Sequence, residues 1–416
     1  MFPYWTSIIV LTILTTLFEL YKHYRQHKLY YIKEIPTDVK EVYGDSIEQK
    51  EFEKSQNYHL ELSKVSFIRL TISFIINMYV LCSPILRIIW DFSTIYNQFL
   101  TSIIFIIIFD FISTIISIPF KLYTTFIIRE KYGMNNMSLI VFIKDFIKSF
   151  ILETILNLII ITLLYFVSET QNLALYLWFG IMTLNIIISL IFVPFVIPLF
   201  YKKTPLQEDQ YKNEIESKLN EVNFPLKSVS VIDASSKAKE GNAFFSGLFG
   251  KRDLVLFDTL ITTCSSDELV DIVLHEVGHC KHYHIFKLLG IQSIQFFIIF
   301  KFIEFFLLDE ALYTQFGFDQ KVVVVGFILL QSLLEPFMEI VSLGINFISR
   351  NFEYQADVYA TKHGNHQLAS ALIKLQKNNL SAYVVDPFVS TIENSHPNLV
   401  ERIQAINKII KDMKSD

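Results

Sequence analysis

The sequence predicts a mainly α-helical, multi-pass membrane protein, and three observations support that fold class. The 416 residues are 52% hydrophobic and only 19% charged, against about 45–50% and 25% in soluble domains. The apolar residues form blocks of roughly the 20 residues that an α-helix needs to cross a bilayer. The remaining charge is concentrated in two long polar regions, 201–284 and 349–416.

Composition also excludes several classes of protein. A net charge of −5 leaves no basic surplus to neutralise phosphates, which excludes a nucleic-acid-binding chain, and the apolar content excludes a disordered one. The three cysteines, Cys82, Cys264 and Cys280, are too few for a disulfide framework. We expect them to pack as small apolar side chains.

Seven segments qualify as membrane spans: 2–20, 65–90, 99–120, 146–168, 173–200, 285–308 and 322–348. They divide the chain into four parts. These are a membrane region with five spans (1–200), a first polar region (201–284), spans six and seven (285–348) and a C-terminal polar region (349–416).

The distribution of lysine and arginine predicts the orientation. Eight of them lie between the first two spans, from Lys22 to Lys64, whereas the loops at 91–98 and 169–172 have none. Because positive loops face the cytosol, we expect a lumenal N-terminus, a cytosolic C-terminus, and both polar regions on the cytosolic side.

Polar side chains also occur inside the predicted spans, where they are costly unless they face protein or water. Lys301 and Glu304 are three residues apart on one helix face and are positioned for an ion pair. Two interpretations remain open: helix-to-helix contacts with snorkelling of side chains to the membrane interface, or the lining of a water-filled cavity. The other residues of this kind are Asp110, Glu153, Asn157, Asn185, Gln292, Gln295, Glu335 and Glu339.

The first polar region contains two predicted strands, at 228–232 and 254–257, followed by a helix. Ser265 and Glu268 form a capping-box pattern that begins this helix. It contains His275-Glu276-Val277-Gly278-His279, the H-E-x-x-H pattern of zinc proteases. A spacing of four places both imidazoles on one face, where their nitrogens can reach one Zn²⁺.

The pattern predicts the chemistry as well. Zinc lowers the pKa of a bound water to about 7. Glu276, beside that water, would take its proton as it attacks a peptide carbonyl and later deliver it to the leaving amine.

A catalytic zinc needs a third protein ligand, and Glu353 is the best candidate. Glu353 and Asp357 are four residues apart and share a helix face, with Ala356 and Ala360 small enough for close helix approach. One carboxylate can bind zinc while the other orients a histidine. From spacing alone, an ordinary solvated acidic face is an equally good alternative.

The remaining histidines of the two polar regions are weaker candidates. We expect His282, His284, His363 and His366 to lie on the surface. His396 precedes an amphipathic C-terminal helix and by itself indicates a loop residue.

The order and spacing of these motifs resemble the type I CaaX prenyl proteases, membrane zinc enzymes that process prenylated proteins. The resemblance extends over nearly the whole chain. It rests on the seven spans, the Asn-Ala-Phe-Phe-Ser-Gly segment at 242–247, the LFDTL segment at 256–260, the HEVGH helix, the FEYQAD segment at 352–357, and Ser395-His396-Pro397 with Arg402.

The resemblance implies a role for each matching residue. It implies that His275, His279 and Glu353 bind one zinc ion, that Glu276 is the general base, and that Asp357 supports the ligands. It further implies that seven helices enclose a water-filled chamber, with a zincin-like unit carrying a small β element at its cytosolic side. Catalytic contacts to the substrate are assigned to His396, and other substrate contacts to Asn242, Ala243, Phe244 and Arg402.

The implied activity is removal of the three residues after a prenylated, typically farnesylated, cysteine, with a second upstream cut as an additional step. The implied location is the endoplasmic reticulum membrane, with the inner nuclear membrane as a second one. The sequence departs from the family at Lys239-Glu240-Gly241, Ser246 and Asn398, which affects the shape of the cleft but removes no ligand.

Two alternatives are weighed against this interpretation. An HtpX-type quality-control protease shares HExxH and a later glutamate but has fewer spans. A seven-span receptor or transporter would make HEVGH incidental. Seven spans together with the element from His396 to Arg402 favour the CaaX protease.

Overall fold

The computed structural model describes residues 2–95, 97–208, 210–247 and 250–415, and it confirms the mainly α-helical class with a small sheet. The helices are α1 (Tyr4–Leu29), α2 (Thr37–Tyr43), α3 (Gln49–Cys82), α4 (Ile85–Ser93), α5 (Gln98–Tyr123), α6 (Leu139–Val167), α7 (Leu173–Ile191), α8 (Ile197–Phe200), α9 (Gln210–Glu221), α10 (Asp258–Thr263), α11 (Ser266–Lys281), α12 (His284–Leu307), α13 (Glu310–Thr314), α14 (Val323–His363), α15 (Leu368–Asn378), α16 (Pro387–Glu393) and α17 (Leu399–Ser415). The strands are β1 (Lys203–Pro205), β2 (Leu226–Ile232), β3 (Ala243–Ser246) and β4 (Arg252–Phe257).

Seven helical segments in the described residues are long and apolar enough to cross a membrane, which confirms the predicted number of spans. They are Tyr4–Leu29, Gln49–Cys82, Gln98–Arg129, Leu139–Val167, Leu173–Phe200, His284–Leu307 and Val323–His363. Several extend past the predicted bounds, because charged residues continue a helix that the apolar pattern alone cannot follow. α14 is 41 residues long, so the predicted boundary at 348/349 lies inside one continuous helix.

The membrane helices carry large exposed apolar side chains, including Ile75 on α3, Phe111 on α5, Ile143 on α6 and Ile187 on α7. An exposed apolar surface of this kind is expected where lipid rather than water surrounds the protein.

The structure has a hydrophobic core among the membrane helices and another around the sheet, and α14 contributes to both. Its first half supplies Leu329 and Leu330 to a membrane core shared with α5, α7 and α12. Its second half supplies Ala360 to a core in which the sheet packs with α11. α14 therefore extends without a break from the membrane core to the core formed by the sheet and α11.

The sheet has the order β1-β2-β4-β3, with β2 and β4 parallel and the two outer strands antiparallel to their neighbours. The two predicted strands are confirmed as β2 and β4. The segment between them contributes a further strand, β3, which occupies one edge of the sheet next to β4.

Some of the polar side chains in the spans pair with one another. Lys301 forms an ion pair with Glu304, as the spacing predicted. Asn157 donates a hydrogen bond to Asp110 across α5 and α6 at 2.8 Å. Thr15 donates one to Glu335 at 3.2 Å between α1 and α14.

Candidate metal centre and catalytic site

The helix that carries the HEVGH motif begins as the sequence predicts. The Ser265 side chain accepts the backbone N–H of Glu268, and the Glu268 carboxylate accepts the backbone N–H of Ser265. Both of these hydrogen bonds satisfy groups that the first turn would otherwise leave unpaired. The helix then runs without interruption through His275 and His279 to Lys281.

α11 packs against the second half of α14, and Gly278 of the motif makes a close approach possible. A Cβ atom at Gly278 would lie 2.9 Å from the Cα of Ala356 and 3.1 Å from the Cβ of Tyr359. The predicted role of small residues at this contact is thus met on both helices, by Gly278 and Ala356.

Asp271, one turn before His275, joins α11 to the turn that follows α14. Its carboxylate, which is buried, accepts the backbone N–H groups of Asn365 and Gln367 at 2.7 and 2.6 Å. These residues lie just past the end of α14, so α11 is held to α14 at both the motif and the turn. Sequence reasoning did not identify Asp271, because a single acidic residue within a helix carries no signal of its own.

Three side chains that could hold a metal ion converge between the two helices. His275 Nε2 and His279 Nε2 lie 3.1 Å apart. The carboxylate oxygens of Glu353 lie 3.6 Å from His275 Nε2 and 3.3 Å from His279 Nε2. One ligand atom from each of the three residues falls within 4.8 Å of the others.

This donor set fits a metal ion. Two imidazole nitrogens that face each other repel unless a proton or a cation lies between them. Glu353 Oε2 is buried and makes no hydrogen bond of good geometry, although His396 and Arg402 approach it. Two imidazoles and a carboxylate that leave an open position are a common ligand set of catalytic zinc.

Asp357 and Arg402 lie behind these three side chains. Asp357 Oδ1 lies 2.9 Å from His275 Nδ1. Arg402 donates two hydrogen bonds to the same carboxylate, from Nε at 2.9 Å and from Nη2 at 2.7 Å, and its Nη1 lies 3.3 Å from Glu353 Oε2. α17 thereby contributes a buried cation that holds both acidic residues of α14 in place.

His396 approaches the same group from the loop before α17. Its Nδ1 lies 2.8 Å from Glu353 Oε2, and its side chain is 64% exposed. The structure therefore brings His396 to the ligand set while leaving most of its ring open to solvent.

The electrostatics of the pocket affect the histidine and the glutamate of the motif differently. Burial alone would lower the pKa of His275, but the carboxylates of Asp357 and Glu353 outweigh it and raise that pKa to about 9. Burial raises the pKa of Glu276, and the nearby His275 and His279 oppose that rise. A general base works best when its pKa is close to the operating pH, so the upward shift suits Glu276 to proton transfer.

Of the four histidines predicted to lie on the surface, three are exposed and one is buried. His282 is exposed, as expected, but the surface position predicted for His284 is wrong, because its side chain is only 2% exposed. His284 Nδ1 lies 3.0 Å from Nδ1 of His279. His363 and His366 are exposed, as expected.

The predicted substrate-binding segment forms the edge of the sheet, and β3 packs against α11. Ala243 is buried, and Phe244 packs on the cluster that contains Val255. The backbone carbonyl of Asn242 accepts the N–H of Phe257 in β4. Because backbone groups alternate in direction along a strand, the backbone N–H and C=O of Ala243 and Phe245 point away from β4, to the free side of β3. The Asn242 side chain is exposed and accepts the N–H of Ala243 at 2.8 Å.

Comparisons with known proteins agree along the whole chain. Residues 26–202 match a family described as the CAAX prenyl protease N-terminal region with five membrane helices, and residues 205–410 match peptidase family M48. A CAAX prenyl protease 1 homolog from Oryza sativa subsp. japonica is 34% identical, with 97% of each chain covered. CAAX prenyl protease 1 from Saccharomyces cerevisiae is 31% identical, covering 96% of this chain and 94% of the relative.

The chain belongs to the CAAX prenyl protease family. The crystal structure of S. mikatae Ste24p superposes with a TM-score of 0.92 at 31% identity, covering 98% of this chain and 100% of that one. As a CAAX prenyl protease of family M48, the protein is a membrane metalloendopeptidase. The comparisons do not favour the HtpX-type alternative, since the matches to CAAX prenyl proteases include the N-terminal membrane region as well as the peptidase unit.

Proposed function

We propose that the protein is a zinc-dependent endopeptidase that removes the three residues following a prenylated cysteine, with a second upstream cut as an additional step. The observation that supports this most directly is the convergence of His275, His279 and Glu353 beside Glu276, in a chain that matches CAAX prenyl proteases over its full length. We assign the first three residues as the zinc ligands and Glu276 as the general base.

When bound, zinc would act as a Lewis acid that polarises the peptide carbonyl and lowers the pKa of a water molecule to about 7. Glu276 would hold the proton removed from the attacking water and pass it to the leaving amine. Asp357 would orient His275 through Nδ1. Arg402 would hold Asp357 and Glu353 in place, and its side chain would also border the bound substrate.

His396 would hydrogen-bond the substrate or the negative charge that develops on its carbonyl oxygen. This role is supported by an imidazole that lies next to Glu353 and remains mostly exposed. Donors placed where charge develops are worth about 2.7–4 kcal/mol in other hydrolases.

The substrate backbone would add as a strand to the free edge of β3. The side chains of Ala243 and Phe244 are occupied in packing. The Ala243 N–H is paired with Asn242 Oδ1, so the segment offers the substrate the Ala243 carbonyl, the backbone groups of Phe245 and the NH₂ group of Asn242. Strand addition recognises an extended chain more than a sequence, which suits an enzyme whose substrates share a lipidated tail.

The prenyl group would supply binding energy from the membrane side. Apolar burial of a lipid chain contributes about 0.8 kcal/mol per CH₂. We place the enzyme in the endoplasmic reticulum membrane, with the inner nuclear membrane as a further location, with a lumenal N-terminus and with 201–284 and 349–416 as cytosolic catalytic regions. The paired polar groups between the helices, such as Thr15 with Glu335, would line a water-filled chamber.

Cleavage of a farnesylated CaaX peptide and its unprenylated counterpart by the detergent-purified chain tests the activity. We expect the wild type to release the last three residues of the farnesylated peptide. The Glu276→Gln variant should retain stoichiometric zinc and lose at least about 100-fold in rate, since it lacks the proton acceptor. Equal rates for the two proteins would contradict the role of Glu276, and cleavage independent of the lipid would favour a quality-control protease.

Orientation has its own test. A reporter fused to the C-terminus should be accessible from the cytosol in sealed microsomes, and a lumenal reporter would overturn the charge-based orientation.

A further inference from the structure

The side chain of His284 lies behind the metal centre in a position that the sequence did not predict. Tyr283 separates α11 from α12 and adopts a left-handed conformation, with φ of 57°. The chain turns there, so His284 begins α12 with its ring directed back toward α11. The ring is buried and stacks on Phe352 of α14, with a centroid separation of 4.1 Å and an interplanar angle of 7°.

Both nitrogens of this ring have partners. His284 Nδ1 lies 3.0 Å from His279 Nδ1, and His284 Nε2 lies 3.1 Å from Oε1 of Gln355. His279 uses its other nitrogen, Nε2, to face His275 and Glu353. The three side chains therefore form a line from Gln355 through His284 to the ligand atom of His279.

The protons along this line can be assigned from the acceptors. A carboxamide oxygen only accepts, so His284 Nε2 carries a hydrogen and donates it to Gln355. A neutral imidazole with a protonated Nε2 has its lone pair on Nδ1, and His279 Nδ1 must then be the donor. His279 Nε2 is left with a lone pair, which is the form that binds a metal.

The opposite arrangement would remove the ligand. If His279 Nδ1 were the acceptor, its neutral ring would carry hydrogen on Nε2, which points at His275 and Glu353. The Gln355 oxygen therefore selects, through His284, the tautomer of His279 that can bind a cation.

We infer that His284 is a positioning residue of the metal site, which accepts the Nδ1 proton of His279 and thereby fixes both its tautomer and its ring orientation. This inference rests on the proposed metal-binding role of His279. α14 supports the arrangement from both sides, because it supplies Glu353 to the ligand set and Phe352 with Gln355 to His284.

The two histidine ligands thus differ in what stands behind them. His275 Nδ1 faces the Asp357 carboxylate, whereas His279 Nδ1 faces a neutral imidazole. A carboxylate partner makes an imidazole more basic. The pair at His279 fixes the ring without placing a second negative charge behind the metal.

Zinc affinity of the full-length, detergent-purified protein, measured by competition with a chromophoric chelator, tests the inference. His284→Leu keeps an apolar side chain beside Phe352 but removes the acceptor. Loss of an outer partner of this kind weakens metal binding by about 10–100-fold. His284→Asn retains an oxygen near the position of Nδ1, so it should recover a large part of that loss.

His282→Leu is the matched control. His282 stacks on His284 with centroids 5.5 Å apart, but it is exposed and has no hydrogen bond to His279. It should bind zinc with the affinity of the wild type. Unfolding midpoints recorded with and without zinc separate packing from ligation, since the inference predicts a smaller zinc-induced increase for His284→Leu.

Wild-type affinity in His284→Leu would overturn the inference. So would an asparagine variant as weak as the leucine variant, because the effect would then come from packing of the ring. A wild-type protein that binds no zinc would instead overturn the proposed metalloprotease function, so the two failures are distinguishable.

Discussion

Two clusters of ionisable side chains lie on α14, and they solve the problem of buried charge in different ways. The first surrounds Glu353 in the catalytic unit. The second surrounds Glu339, 14 residues earlier, or about 21 Å along the helix at 1.5 Å per residue. In the second cluster Lys22, only 2% exposed, lies 2.6 Å from Glu19, 3.4 Å from Glu339 and 3.1 Å from Glu393.

The difference lies in where the cation comes from. In the Lys22 cluster the chain supplies an ammonium group to its own carboxylates, so the cluster joins α1, α14 and α16 as an ordinary ion-pair network. In the candidate metal centre, Arg402 donates both of its short hydrogen bonds to Asp357, and the Nε2 atoms of His275 and His279 face the Glu353 carboxylate. Three converging atoms that can each bind a metal are suited to an external cation. The Lys22 cluster needs no such cation, because Lys22 supplies the positive charge.

The largest effect is expected for Glu353→Gln. The variant keeps the shape of the side chain but loses the negative ligand, and we expect it to contain no stoichiometric zinc and to lose peptide cleavage. Elemental analysis of the purified protein measures the metal. Glu339→Gln on the same helix is the control and should keep its zinc; loss of zinc from both variants would remove the distinction between the clusters.

Lys22→Met tests the second cluster. Removing the ammonium group leaves three carboxylates without their shared donor, and hydrogen bonds to charged groups contribute about 1.5–3 kcal/mol. We expect the free energy of unfolding in detergent to fall by about that amount, with zinc content unchanged. Lys33→Met, at an exposed position, should change it by less than about 0.5 kcal/mol.

An unchanged stability in Lys22→Met would show that water already solvates these carboxylates. Loss of zinc from this variant would show that the two clusters are coupled through α14 rather than independent.

The contact between α11 and α14 is the next test, because it sets the spacing of the proposed metal ligands. Gly278→Ala forces a methyl group within 2.9 Å of the Ala356 backbone, and overpacking of this kind costs about 1–3 kcal/mol. We expect lower thermal stability and weaker zinc binding, since His275 and His279 move away from Glu353 with the helix.

Gly290→Ala is the control for this substitution. Apart from its chain neighbours and the backbone of its own helix, no atom of the described residues lies within 4 Å of a Cβ at Gly290, and alanine is the better helix former by up to about 1 kcal/mol. This variant should be as stable as the wild type or more so. Equal behaviour of the two alanine variants would show that the helices do not need their close approach.

The convergence of the proposed ligands was predictable from the sequence for a simple physical reason. His275 and His279, like Glu353 and Asp357, are four residues apart, and helical geometry alone places each pair on one face. The capping box at Ser265 fixed where the first helix begins. The resemblance to the CaaX proteases then placed the two helices together.

His284 was not predictable in the same way. Its position depends on Tyr283, whose left-handed conformation is uncommon for a residue other than glycine, asparagine or aspartate, so the sequence gives no sign of the turn. Lys22 was missed for a different reason. The predicted first span ended at residue 20, but α1 continues to Leu29 and carries the lysine into the helix bundle, where partners from distant parts of the chain bury it.

The smallest effect concerns Glu268, a buried carboxylate whose cation comes from the chain itself, as it does for the carboxylates around Lys22. It accepts hydrogen bonds from Lys374 at 2.7 Å and from Ser370 at 2.6 Å. Burial alone would raise the pKa of Glu268, but Lys374 and Ser370 outweigh it and hold the pKa below its usual value. A carboxyl group with a lowered pKa stabilises the fold above its unfolded pKa of about 4.3, and this stabilisation is lost as the pH falls through the folded pKa.

Glu268→Gln should therefore destabilise the protein by about 1 kcal/mol at pH 7, and the gap to the wild type should narrow as the pH falls below about 4. The comparison uses metal-free protein, because protons also displace zinc from histidine at low pH. A gap that stays constant with pH would assign the effect to the shape of the side chain rather than to its charge. Zinc affinity at pH 7 should be unchanged in this variant, because Glu268 is paired with Lys374 and is not one of the proposed metal ligands.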